Sequence, residues 1–219
     1  MSAIAQIDPD HIHIERLFTT PVARLAHPEA EALNAALSAA ILARAAEGAG
    51  VQHSNERGWQ SPDDFEQWSG EAGAQLVAFA RAFANELTAV HDAQAGLVAA
   101  DLQWRYNAWA NVNRAGDANA LHGHPGCFWS GVYWVDDGGC GEDPALGGQL
   151  EFVDPRGLMP SAYNPQLRMR IQGCLTAGYC SHVAPRSGTL LMFPSWLLHR
   201  VVPHTSARAR ISVAFNFGV

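Results

Sequence analysis

The sequence predicts a mainly β fold with flanking helices, its second half a double-sheet jelly roll, and three observations predict it. After Leu97, helical periodicity gives way to short extended segments bounded by glycine, proline and asparagine. The last segment, Arg208 to Phe217, alternates: Ile211, Val213, Phe215 and Phe217 share one face, and Arg210, Ser212, Ala214 and Asn216 share the other. Polar side chains turned inward on such a strand suit a barrel that encloses a ligand cavity. The amphipathic helical stretches all precede Leu97, so they can pack on the outside of a sheet. With 219 residues, 48% hydrophobic and 16% charged, the chain fits one folded domain, 1–219. A helical and extended flanking part covers about 1–97, and the jelly-roll core covers about 98–219.

Along the chain, Ile14 to Leu25 reads as extended with a turn at Thr20-Pro21. From Pro28 to Ala46, Leu33, Leu37, Ile41 and Leu42 recur at helical spacing, and Gly48 and Gly50 end the helix. Gln52 to Gln60 is a polar loop. Ser61-Pro62-Asp63-Asp64 starts the next helical region with a serine cap, a proline at the first helical position and aspartates at the positive dipole end. It runs to His91, is broken near Gly70, and carries Leu76, Ala80, Phe83, Leu87 and Val90 on one face. Strands are predicted at Leu102–Asn111, Trp129–Val135, Gln149–Val153, Thr189–Phe193, His199–Val202 and Arg208–Phe217. The glycine- and proline-rich section 154–188 reads as a lid or binding loop with one strand around Arg168–Leu175.

Composition excludes several functions. A formal net charge of −7 with no basic run argues against nucleic acid and anionic membrane surfaces as partners. The chain has no lysine, so an anionic ligand must be held by arginine, histidine, hydroxyls or backbone amides. No stretch is long and apolar enough to span a bilayer, and the first ten residues do not read as a secretory signal. Cys127, Cys140, Cys174 and Cys180 lack paired metal or redox spacing and read as free thiols of a cytoplasmic protein. A homodimer is the default oligomer.

The chemistry centres on His122-Gly123-His124 and the distant His199. Residues at i and i+2 of a strand project from one face, so both imidazoles of the pair can reach a single ion. Imidazole suits iron, copper, zinc or nickel, and three protein ligands on one side leave positions open. Arg210 lies one strand further on and shares its face with Ser212, a pairing that matches a carboxylate by bidentate and hydroxyl bonds. Arg208, two residues earlier on that face, is the fallback. Trp109, Trp129, Trp134 and Trp196 read as packing residues, and Cys127 as structural. His11, His13, His27, His53, His91, His182 and His204 have no matching context.

The order and spacing of Trp109-x-Asn111, Gly116-Asp117-x-Asn119-x2-His122-x-His124-Pro125, Ser130-Gly131-Val132-Tyr133, Gly148-Gln149-Leu150-Glu151-Phe152, Gly188 to Trp196, His199-x-Val201 and Arg210-Ile211-Ser212 resemble the 2-oxoglutarate- and iron(II)-dependent dioxygenases. The likeness is specifically to a bacterial and phage branch of oxygenases with a His-x-His motif. The resemblance implies a cupin-like double-stranded β-helix core. It implies a non-haem dioxygenase that uses Fe(II), 2-oxoglutarate and O2 to oxidise, chiefly by hydroxylation, a small-molecule or peptide substrate, with release of succinate and CO2. His122 and His199 match the family's two histidine ligands, and His124 stands where the wider superfamily has a carboxylate. Arg210 and Ser212 match the anchor of the far carboxylate of 2-oxoglutarate. Tyr133 either bonds this co-substrate or fills the core. Asp117 and Glu151 are candidates for a carboxylate ligand from elsewhere. Competing readings are a three-histidine cupin-type metalloenzyme that does not use 2-oxoglutarate, and a metal-stabilised binding module.

Overall fold

Strand alternation in the second half builds two antiparallel sheets packed face to face. The computed structural model describes residues 8–99, 102–157 and 162–219. The larger sheet runs in the order β1 (Ala23–Ala26), β11 (Thr189–Pro194), β8 (Trp129–Asp136), β13 (Arg210–Gly218), β6 (Arg105–Asn113) and β3 (Trp59–Gln60). The smaller runs β10 (Cys180–Val183), β9 (Leu150–Val153), β12 (His199–Val201), β7 (Ala118–His122) and β2 (Asn55–Glu56). Val132, Trp134, Leu191 and Phe193 from the larger sheet meet Leu150, Phe152 and Val183 from the smaller in one apolar cluster. Val132, Leu150 and Phe193 of that cluster also wall a cavity between the sheets, which polar side chains complete.

The outer face of the larger sheet is covered by α1 (Ala30–Ala46) and α3 (Gly70–Glu86), with the one-turn α2 (Phe65–Trp68) between them. Ile211, Val213, Phe215 and Phe217 pack there against Leu33, Leu37, Ile41, Leu76 and Ala80. At roughly 25 cal/mol per Å² of apolar surface removed from water, this layer is the main stabilising contribution to the flanking part. Central β13 pairs along its length with β6 on one side and β8 on the other. The residues on its opposite face are thereby held rigidly against the cavity.

Several boundaries differ from the sequence expectation. Within Ile14–Leu25, strand structure is confined to the end, where β1 pairs with β11. Ser61 does not cap a helix: its backbone N–H donates to the Ala110 carbonyl and its Oγ accepts from the Ala110 N–H, which ties it to β6, so α2 begins only at Phe65. The predicted break falls where Gly70 adopts φ 65°. The helix then ends at Glu86, and His91 lies in β4 (Ala89–Asp92), which forms an exposed hairpin with β5 (Gly96–Ala99). Asp92 Oδ1 accepts the amides of Gln94 and Ala95 and closes that hairpin turn. Arg168–Leu175 is not a strand. The strand of that section is β10, which pairs with β9. Among the described residues, no helix is long and apolar enough to cross a membrane.

Candidate metal centre

His122 ends β7 and His199 begins β12, and the two face each other across the strand pair. His124 lies beyond the strand, so the simple i, i+2 argument does not by itself place it. Its backbone N–H donates to the Ser195 carbonyl at 3.0 Å, and this bond turns the chain so that the ring rejoins the other two. Ring centroids are 4.4 Å apart for His122 and His199, 4.9 Å for His122 and His124, and 5.2 Å for His124 and His199. One nitrogen from each ring lies within 4.8 Å of the others, a spacing that one ion can bridge.

The protonation of two rings follows from their partners. Nδ1–H of His122 donates to the Ala120 carbonyl at 2.7 Å, and Nδ1–H of His199 donates to the Leu197 carbonyl at 2.8 Å. A carbonyl can only accept, so Nδ1 carries the hydrogen and the Nε2 lone pair is free in both. Burial disfavours the imidazolium and holds His122 below its ordinary value. Burial and then the neighbouring His122 bring His124 down to about 4. Burial, with His122 and His124 adding to it, brings His199 to about 3. All three rings are neutral at pH 7, the state a metal requires.

His124 is oriented by a different group. Its Nδ1 lies 3.2 Å from Asn216 Nδ2, and Ser130 Oγ donates to Asn216 Oδ1 at 2.7 Å. In this orientation the amide donates to Nδ1, which leaves the ring hydrogen on Nε2. A half-turn of the amide reverses the relay: Nδ1–H donates to Oδ1, Ser130 accepts from Nδ2, and Nε2 becomes a ligand. Asn216→Leu is therefore expected to lower metal affinity by roughly 10- to 100-fold with little change in melting temperature. Isothermal titration with Fe(II) under nitrogen checks this, and unchanged affinity removes Asn216 from the site.

The same cavity is lined by Trp109, Asn111, Ser130, Arg210 and Ser212, with Val132, Leu150 and Phe193 as apolar wall. Arg210 is 1% exposed, and its Nε has no hydrogen-bond partner. Among the described residues it joins no ion pair. Burial lowers its pKa to about 10, against the opposing pull of Cys140 and Asp137, so it remains cationic at pH 7. Gly148 backs this side chain with φ 74°: a Cβ there would lie 3.1 Å from Cys140 Sγ, 3.3 Å from His204 Cβ and 3.6 Å from Arg210 Cδ.

Other sequence-predicted residues fall elsewhere. Tyr133 does not reach the cavity. On β8 the residues of the other parity, Ser130 and Val132, face inward, and Tyr133 is buried under α1 with its hydroxyl donating to Asn34 Oδ1 at 2.7 Å. Burial pushes its phenol up to about 12. Arg208 pairs with Asp136 at 2.7 Å on the surface. Asp117 accepts the Arg114 amide and does not line the cavity. Glu151 is held by Arg200 and His182, so neither candidate carboxylate joins the three histidines. Asn119 lines the cavity and donates to Ser54, and backbone carbonyls, not Asn119, accept from the His122 and His199 rings. Trp129 and Trp134 are buried, whereas Trp196 is 57% exposed and Trp109 lines the cavity 5.9 Å from the His124 ring. Asp154 and Arg156 close a turn through two side-chain bonds. The Ser130–Asn216 relay and the backing role of Gly148 leave no local sequence signal, because each depends on a cross-strand neighbour.

Residues 107–216 match the family model described as "Putative 2OG-Fe(II) oxygenase". Among solved structures, the chain is similar to a Pseudomonas putida prolyl-4-hydroxylase at 21% identity and TM-score 0.62, over 92% of this chain and 94% of that one. It is similar to a Trichoplax adhaerens prolyl hydroxylase in complex with a hypoxia-inducible-factor peptide fragment at 12% identity and TM-score 0.64, over 92% and 85% of the two chains. It is also similar to HygX from Streptomyces hygroscopicus, with nickel and 2-oxoglutarate bound, at 13% identity and TM-score 0.55, over 91% and 83%. These likenesses establish the double-stranded β-helix fold. No curated protein matches the chain.

Proposed function

We propose that this chain, which belongs to the 2OG-Fe(II) oxygenase family, is a 2-oxoglutarate-dependent dioxygenase that oxidises, chiefly by hydroxylation, a small-molecule or peptide substrate. The observation that carries this reading is the buried Arg210 guanidinium without an anionic partner, in the same cavity as three neutral imidazoles. A buried cation without a counter-ion is costly, and the cost is offset when an anion of the right reach enters. His122, His124 and His199 would hold Fe(II) through Nε2. The bound iron, co-substrate and O2 supply the oxidising chemistry, in which 2-oxoglutarate gives succinate and CO2.

The chain's own residues perform the positioning. Three neutral ligands leave the metal's +2 charge unneutralised, so an anionic chelator is attracted more strongly than it would be beside a carboxylate ligand. Arg210 and Ser212, which line the cavity together, would hold the far carboxylate, a group that a guanidinium and a hydroxyl suit as hydrogen-bond donors. A dianion is thereby fixed at both ends in one orientation. Val132, Leu150 and Phe193 exclude water from the wall beside it. Substrate selection is assigned to the glycine- and proline-rich 154–188 section, whose length suits a binding loop.

The presence of His124 in place of a carboxylate specifically favours a second reading, a three-histidine oxygenase in which Arg210 holds the substrate's own carboxylate. Anaerobic addition of 2-oxoglutarate to the Fe(II) protein separates the two. The first reading expects a weak visible charge-transfer band and, on admitting O2, slow succinate formation without substrate. Bound iron with neither signal transfers the case to the second.

A further inference from the structure

The outer face of the smaller sheet carries a second group of metal-binding side chains, which the inner site does not use. In the β9–β10 pair Glu151 stands opposite His182, and Cys180, two residues before His182, projects from the same face. One ligand atom from each of Glu151, Cys180 and His182 lies within 4.8 Å of the other two. His182 has no metal-binding context in the sequence because its partner lies 31 residues away on another strand.

We propose that Glu151, Cys180 and His182 form a binding site for a borderline-soft divalent cation of the Zn(II) class, with water at the fourth position. The donor set distinguishes it from the inner site. A thiolate and a carboxylate together neutralise a +2 ion, whereas three imidazoles leave its charge intact, and thiolate donors select zinc over iron(II) in a tetrahedral set. Glu151 is already oriented as a ligand. Arg200 Nε donates to its Oε1 at 2.6 Å, which leaves Oε2 directed at His182 Nε2, 2.8 Å away. An outer-shell bond of this kind fixes a ligating carboxylate.

The alternative is a plain surface ion-pair network of Arg200, Glu151 and His182, which does not need Cys180. Binding of the cation releases the Cys180 thiol proton to solvent, and a ligating His182 gives the ion its Nε2 lone pair with the ring hydrogen on Nδ1. Burial and then Glu151 hold the thiol above its ordinary value, so the cation competes with that proton. The inference does not rest on the reading of the inner site.

The test uses the full chain with His199→Ala, which removes the inner site, stripped of metal and titrated with Co(II). One equivalent is expected, with a near-ultraviolet sulfur-to-cobalt charge-transfer band that Zn(II) displaces. Cys180→Ser and His182→Gln in that background are expected to abolish both the band and the equivalent while the circular dichroism is unchanged. Absence of the band at saturating cobalt overturns the proposal, as does a band that survives Cys180→Ser. If His199→Ala does not fold, the same count is made in the unsubstituted chain, where Cys180→Ser must lower the cobalt bound from two equivalents to one. A stoichiometry unaffected by that change is equally fatal.

Discussion

His199→Ala is expected to empty the inner site and to reduce 2-oxoglutarate turnover to background. The two strand-borne histidines sit opposite each other on β7 and β12, so removing one leaves two neutral imidazoles with no anionic donor to compensate. Losing an outer-shell partner typically lowers metal affinity by roughly 10- to 100-fold, and losing one of only three direct ligands must exceed that. The fold itself should persist. The ring packs 4.8 Å from Phe193 and 6.1 Å from Phe152, and its truncation forfeits that contact. It also relieves the crowding of three desolvated rings, whose mutual effect helps hold His199 at about 3. Iron per protein by elemental analysis and melting temperature of the metal-free form are the two measurements. Wild-type iron content in the variant would falsify the three-histidine assignment, and a collapsed melting transition would recast His199 as a packing residue.

Much of this architecture could be read from residue order because alternation and helical spacing are local signals. The parity of Arg210, Ser212 and Asn216 against Ile211, Val213, Phe215 and Phe217 put the right side chains toward the cavity, since an unbulged strand admits only two faces. Of the two roles open to Tyr133, the core one holds, because it lies at the opposite parity from Ser130, which faces inward on the same strand. Two-residue strands such as β2 and β3 are too short to show a period, and they exist only because β7 and β6 offer edges to pair with. His124 converges on its neighbours through the Ser195 carbonyl, a contact 71 positions away that spacing does not encode. Asn216 as the group that sets the His124 tautomer was hidden for the same reason, although its inward face was evident.

Arg210→Met should separate stability from function by moving them in opposite directions. In the metal-free protein the guanidinium is buried, cationic and without a partner at Nε, and a group in that state costs roughly 1–3 kcal/mol relative to a satisfied one. Methionine fills a similar volume with no polar atom to satisfy, and its flexible chain can adapt beside Gly148. Replacement of buried charge by apolar bulk is often neutral or stabilising, so the melting temperature should hold or rise, by about 2–4 °C per kcal/mol for a chain of this size. Affinity for 2-oxoglutarate should fall. Truncating one member of a buried, hydrogen-bonded charge pair costs roughly 2–5 kcal/mol, which at about 1.4 kcal/mol per tenfold is a loss of 30-fold or more. Iron binding should remain as in the wild type, because Arg210 touches none of the three imidazoles. Titration of 2-oxoglutarate into the anaerobic Fe(II) protein, read by the visible band, gives the affinity, and calorimetry of the metal-free form gives the stability. An arginine kept only for packing predicts the reverse pair of results: a less stable variant that binds 2-oxoglutarate unchanged. The buried cation weakens the empty protein so that the cavity is ready for its anion.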